Sequence, residues 1–283
     1  MDADVACIDG AIVPLEEAVI GVTDHGLIRG DGAFEVIRLY GGRPYALGAH
    51  LTRLERSAAG LRLPLDLEAV RADALALAGA REWGDVLLRV MVTRGGRRIA
   101  LIESMPEVPA SIALEPITYA PTHVLDSIKS LSYGANMLAS RLARERGADD
   151  ALLVTPHGRL LECPTASFFL VRDGEIWTAP LSDHVLDSIT RRVVLAVATV
   201  REEPLDRLAL EDAQEAFVAS SVHEVAPVHR VGTREFPAPA VRTHELAALV
   251  HERIESELRA VRATGDGQIV IGRGKPELRE EDG

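Results

Sequence analysis

Lysine is nearly missing from this sequence. Among 31 basic residues only Lys129 and Lys275 are lysines, and the rest are arginine. Cysteine is equally scarce: Cys7 and Cys163 are too few for a disulfide framework, so a reducing cytoplasm is the expected setting. Positive charge as a whole falls short, with 43 acids giving a net charge of −12, which repels phosphate backbones and argues against nucleic-acid binding. No stretch approaches the ~18 uncharged apolar residues of a membrane span. The opening Met1-Asp2-Ala3-Asp4 is acidic, unlike a signal or transit peptide. There is no Gly-Lys-Ser/Thr phosphate loop. The nine histidines lack HExxH spacing and neither cysteine belongs to a CxxC pair, so no metal is expected. What survives these exclusions is a soluble enzyme acting on small molecules.

The chain itself is ordinary globular material: 283 residues, 47% hydrophobic and 26% charged. At about 100–200 residues per domain, one or two domains fit. Strand runs separated by turn residues read as hairpins at Val5–Val13, Phe34–Leu47, Ala151–Glu162 and Phe168–Thr178. Apolar residues at helical spacing predict a helix over Ala49–Leu61, an Ala- and Leu-rich run ended by Gly84 predicts another over Asp66–Trp83, and further helices are expected over Tyr133–Arg146, Thr190–Val200 and Thr243–Val261. Further strands are expected at Val86–Thr93, Ser111–Tyr119 and Ala216–Ala219. The fold class is therefore mixed α/β without strict βαβ alternation. Pro121 marks the expected boundary between a smaller domain, 1–120, and a larger one, 121–262, with 263–283 a disordered tail.

Gly30-Asp31-Gly32 begins like a dinucleotide fingerprint, but Glu35 occupies the third glycine position, and that reading is rejected. Lys129 is more informative. Arginine supplies charge anywhere, but only lysine can lose its proton and act as an amine nucleophile. Lys129 lies among apolar neighbours just before a predicted helix, whose dipole would favour the neutral amine; the alternative is chance retention of one lysine. Glu162 closes a strand and is either merely solvated or able to hold a proton on a pyridine nitrogen. Asp187-Ser188-Ile189-Thr190 is at least a helix cap and could also bind phosphate through free N–H groups. Ser220-Ser221 and Arg53 would add hydroxyls and a cation, unless Arg53 is only a surface charge. Together these groups are what a phosphate-bearing aldehyde cofactor requires.

In this order the motifs resemble a known family. They run Arg29-Gly30-Asp31-Gly32-Ala33-Phe34-Glu35, His50-Leu51-Thr52-Arg53-Leu54, Ile128-Lys129-Ser130-Leu131, Gly147 to Leu152, Leu161-Glu162-Cys163-Pro164-Thr165, Ser188-Ile189-Thr190-Arg191, and Ser220-Ser221 before Glu224-Val225-Ala226-Pro227. The chain resembles the class IV, fold-type-IV aminotransferases over about Ile8 to Leu258, nearest the D-amino-acid transaminase and aminodeoxychorismate lyase branches. The resemblance implies a small α/β domain, a larger pseudobarrel domain and pyridoxal 5′-phosphate between them, in a homodimer acting on an amino acid and a 2-oxo acid. It makes Lys129 the Schiff-base lysine, Glu162 the partner of the pyridine nitrogen, and Arg53, Ile189, Thr190 and Ser221 the phosphate cup. Phe34, Arg97 and Arg98 fall where substrate contacts are found, the arginines as a carboxylate clamp or else as a solvated basic loop. Tyr133 is near, but not in register with, a tyrosine that contacts the ring oxygen in some members, and Ser167 stands where many have Asn. Transamination is the leading reaction. Lyase chemistry giving pyruvate and 4-aminobenzoate is the runner-up, a non-catalytic binding protein comes next, and a metal-dependent hydrolase is most distant.

Overall fold

The computed structural model describes residues 4–264. Lys275 and the tail from 265 onward lie outside the described residues.

A six-stranded antiparallel sheet opens the chain. Its strands are β1 (Val5–Ile8), β2 (Ala11–Pro14), β3 (Gly32–Tyr40), β4 (Arg43–Pro44), β5 (Val86–Thr93) and β6 (Arg98–Ser104), in the order β2-β1-β6-β5-β3-β4. A short helix, α1 (His25–Arg29), precedes β3, and α2 (Leu47–Gly60) and α3 (Leu67–Ala78) follow β4. The Asp66 side chain caps α3 by accepting from the Ala69 N–H at 3.0 Å. Leu51, Leu54 and Ala58 of α2 and Val70, Ala74 and Leu77 of α3 are buried with Ile37, Leu88 and Val90 of the sheet in one core. The predicted second helix ends early, at Ala78. Trp83 turns back into the core instead, its indole N–H donating to the Leu77 carbonyl.

The second sheet has eight strands and mixed direction. It contains β7 (Ile112–Thr118), β8 (Asp150–Val154), β9 (Ser167–Arg172), β10 (Glu175–Thr178), β11 (Val200–Glu202), β12 (Glu215–Ser220), β13 (Glu224–Val231) and β14 (Arg234–Glu235). Helices α4 (Gly134–Glu145), α5 (Ile189–Val197), α6 (Arg207–Asp212) and α7 (Val241–Thr264) complete the chain. The run Phe168-Phe169-Leu170-Val171 is apolar throughout because β9 is buried on both faces. Phe168 and Leu170 join Leu205, Ala209 and Leu210 on one side; Phe169 and Val171 meet α5 and α7 on the other. Phe169 stacks on Phe217 of the adjacent β12 at 4.7 Å, and each buried phenyl contributes about 1.5–3 kcal/mol.

β7 pairs in parallel with β8 and β13, so the chain passes from the first sheet to the second at 105–111, ahead of Pro121. The end of the 151–162 hairpin is not a regular strand, since Leu160 makes only isolated bridges to Val154 and Leu205. Strands β6 and β13 and helix α6 had no reading in the sequence. α7 runs to Thr264, so the first residues of the expected tail are helical.

Candidate active site

Between the two sheets lies a cavity of about 400 Å³. Its lining includes Phe34, Arg53, Lys129, Glu162, Ile189 and Ser221. Six of the residues singled out in the sequence thus meet around one space, though only Phe34 lies on a strand and the others come from helices and connecting segments.

Lys129 is held by backbone geometry rather than by a helix. Its segment runs extended beside β3, with an Ala33–Ser130 bridge, the Phe34 N–H donating to the Lys129 carbonyl at 3.1 Å and the Leu131 N–H to the Gly32 carbonyl at 2.8 Å. The helix expected from Tyr133 begins at Gly134, five residues beyond the lysine, so its dipole is not what acts on the amine. Its Nζ lies 4.4 Å from the centre of the Phe34 ring and 5.7 Å from that of Tyr133. Loss of water, followed by the positive charge of Arg53, brings the amine down from 10.5 to about 8. Among the described residues Nζ has no hydrogen-bond acceptor, which leaves a desolvated amine facing open space.

Arg53 is fixed from behind. Glu35 of β3, fully buried, accepts from Arg53 Nε at 2.7 Å and Nη2 at 2.6 Å, and from His50 Nδ1 at 2.8 Å. Burial alone would raise the Glu35 carboxyl, but the Arg53 guanidinium overcomes it and holds the group at about 2. Burial also pushes His50 down, so its ring is neutral, and the proton shared with an ionised Glu35 belongs on Nδ1. The third guanidinium nitrogen, Nη1, donates to the Asp187 carbonyl at 3.2 Å, placing the cation at the start of α5. There Ser188 caps the helix by accepting from the Arg191 N–H, while the N–H groups of Ile189 and Thr190 have no intrahelical acceptor. Thr190 lines a small recess that Ile189, Ser220 and Ser221 share with the cavity. The Ser220 hydroxyl accepts from the Val222 and His223 N–H groups, which shapes the turn carrying Ser221. A guanidinium, a helix N-terminus and serine hydroxyls converging in this way suit an anion.

Glu162 has no such partner. Among the described residues its carboxyl accepts one hydrogen bond, from the Leu186 N–H at 3.0 Å, and loss of water raises the carboxyl from 4.5 to about 7. Leu186 and Asp187 are consecutive, so one short backbone segment contacts both Glu162 and Arg53.

Arg97 and Arg98 are not in this cavity. Arg98 pairs with Asp73 at 2.8 Å, and Arg97 with Asp9 at 3.1 Å, on the far end of the hairpin joining β5 and β6. Each faces a neighbouring carboxylate there. Instead Arg89 of β5 lines the cavity, its Nε and Nη2 donating to Glu103 at 2.8 and 2.9 Å and its guanidinium 5.5 Å from the Phe34 ring centre. Tyr133 donates its hydroxyl proton to the Pro164 carbonyl, bracing the segment after Glu162. Arg89 and Glu35 were given no role from the sequence. Strand alternation alone does not tell which face of β3 or β5 meets a second sheet.

The family model for "Amino-transferase class IV" matches residues 32–231, which span every cavity residue named above. The chain belongs to that family. A Methanocaldococcus jannaschii protein named "Putative branched-chain-amino-acid aminotransferase" is 32% identical over 80% of this chain and 88% of its own. A "D-alanine aminotransferase" of Listeria monocytogenes is 29% identical over 79% and 86%. Among solved structures, a hypothetical aminotransferase from Mycobacterium tuberculosis in its PLP-bound form has 26% identity and a TM-score of 0.80, covering 89% of this chain and 99% of that one. Similarity thus extends to branched-chain and D-alanine enzymes alike, and these names favour transamination over the lyase reaction. As a class IV aminotransferase the protein uses pyridoxal 5′-phosphate. The donor set fits that group: an unpaired amine on Lys129, an anion cup at Arg53 and α5, and a protonatable carboxyl at Glu162. The Ser167 hydroxyl also lines the cavity, buried and without a partner among the described residues. Among the described residues no cluster of side chains could hold a metal ion, and no helix is long and apolar enough to cross a membrane.

Proposed function

We propose that this aminotransferase exchanges an amino group between an amino acid and a 2-oxo acid, with Lys129 as its catalytic base and cofactor-binding amine. The observation that carries the reading is the isolated, desolvated Lys129 amine, held near 8 inside a cavity that also carries an anion cup. When bound, pyridoxal phosphate supplies an aldehyde carbon and an electron-withdrawing ring. Lys129 Nζ would be the group that holds that carbon, and the same amine would carry a proton to and from the substrate carbon. Arg53, the Ile189 and Thr190 amides and Ser221 bind the phosphate. Glu162, with a carboxyl that titrates near neutrality, holds a proton at the pyridine nitrogen.

Phe34, Val36 and Leu87 give the substrate apolar walls, while Arg89 adds a cation whose Nη1 has no acceptor among the described residues. That combination suits an apolar amino acid and, through Arg89, a substrate carboxylate. A form of the M. tuberculosis relative bound to α-ketoglutarate and PMP agrees with a 2-oxo acid as the second substrate.

The working unit is a homodimer. Val19, Val22, Leu27 and Ile28, each more than half exposed, gather on one N-terminal segment and form an apolar surface that a second copy would cover. The setting is the cytoplasm, in keeping with two buried free thiols, Cys7 and Cys163.

Mixing the PLP-loaded protein with a panel of L- and D-amino acids tests the reaction. The visible band should bleach with one enantiomeric series. A band that no amino acid bleaches would contradict transamination.

A further inference from the structure

Helix α2 carries Arg53, and one turn later it carries Ser57, which is fully buried. The Ser57 hydroxyl accepts a hydrogen bond from the backbone N–H of Lys129 at 3.1 Å. These residues are 72 positions apart. Nothing in the reaction described above uses Ser57.

The surroundings make this bond consequential. Ser127, two residues earlier, has a positive φ of 61°, so the chain turns sharply just before the lysine. Ile128 then lies flat on the end of α2: a Cβ added at Gly60 would sit 2.7 Å from its Cδ1. On the other side the Lys129 carbonyl accepts from the Phe34 N–H of β3. The lysine is thus held by backbone bonds on its sheet side and by one side-chain hydroxyl on its helix side. Arg53 and Ser57 are four residues apart and share the buried face of α2. A rigid helix therefore fixes the distance between the cup cation and the lysine backbone.

We propose that Ser57 is a positioning residue that ties Lys129 to α2, so that the lysine amine and the Arg53 cup keep one fixed separation across the junction of the two sheets. The proposal rests on Lys129 being the cofactor-binding amine. Removing the hydroxyl leaves a buried N–H without a partner and lets the segment shift, and misplacement of a reacting group lowers rate more than binding.

The test compares wild type, Ser57→Ala and Ser57→Thr as PLP-loaded proteins, reading single-turnover bleaching by an amino donor and cofactor affinity by absorbance titration. Ser57→Ala should slow bleaching at saturating donor about 10-fold. The donor concentration for half-maximal rate and the cofactor affinity should stay within about twofold, and Ser57→Thr, which keeps the acceptor, should recover most of the rate. A wild-type rate in Ser57→Ala would overturn the proposal. So would a loss of cofactor affinity that accounts for the whole rate effect. If Ser57→Ala does not fold, Ser57→Cys, of similar size but a weak acceptor, is read by the same criteria. A wild-type protein with no visible band would instead defeat the assignment of Lys129, independently of Ser57.

Discussion

Glu35 and Glu162 are both glutamates removed from bulk water beside the same cavity, and their carboxyls move in opposite directions. Glu35 receives two guanidinium N–H groups and a histidine N–H, and falls to about 2. Glu162 receives one backbone N–H and rises to about 7. Burial pushes both upward; what differs is the number and charge of the donors. A saturated carboxylate is a fixed part of the framework, locked in one protonation state at any working pH. A sparsely partnered one is free to exchange a proton with whatever enters the cavity. Lys129 belongs with Glu162 on the reactive side of this division, and Arg53 with Glu35 on the fixed side.

The largest effect should come from the reactive side. Lys129→Ala removes the only amine that lines the cavity among the described residues and should lower the rate of amino-acid bleaching by about 10,000-fold, as read in a stopped-flow half-reaction. Near-normal bleaching would dissolve the distinction.

Glu35→Gln breaks the fixed side. It strands the buried Arg53 guanidinium, and urea unfolding of the cofactor-free protein should show a loss of about 3–5 kcal/mol. A change under about 1 kcal/mol would mean that the triad is not a framework element. Because the Glu35 carboxyl is depressed, its stabilisation is complete above the ordinary value of 4.5 and is lost only as pH falls through about 2.

Glu162→Gln should be milder and of a different kind: cofactor retained, bleaching slowed about 100-fold. The sign of its pH effect is also opposite. With a folded-state value of about 7 against 4.5, its contribution to the stability of the cofactor-free protein is full below 4.5 and lost as pH rises through 7. Melting temperatures across pH 4–8 should therefore slope less steeply downward in Glu162→Gln than in wild type. Equal slopes would place Glu162 with the fixed residues.

The smallest effect belongs outside the cavity. Arg98→Ala removes a part-exposed pair with Asp73 and should cost about 1 kcal/mol or less in unfolding, with the half-saturating substrate concentration unchanged. A large rise in that concentration would make Arg98 a substrate contact.

Sequence legibility follows the same division. Lys129 stood out because lysine is so scarce, and the Ser188 cap and the apolar faces of α2 and α3 were readable because they depend on near neighbours in the chain. Glu35 was visible as the residue that spoils a glycine motif and as the end of a family motif, but without a role, since its partners are 15 and 18 positions away and that role exists only once β3 and α2 pack. Arg89 was lost within an apolar strand. Arg97 and Arg98 drew attention through their charge, but Asp9 and Asp73, which absorb it, come from distant segments. β7 was read as a strand, yet nothing local says that it joins the second sheet; parallel pairing with β8 decides that.

The central claim is that the cavity amine on Lys129 holds the cofactor, and a protein with two lysines allows a direct test. PLP-loaded protein is reduced with borohydride, digested and mapped by mass spectrometry. The pyridoxyl mass should appear on the peptide containing Lys129. That mass on the Lys275 peptide, or on neither, would contradict it.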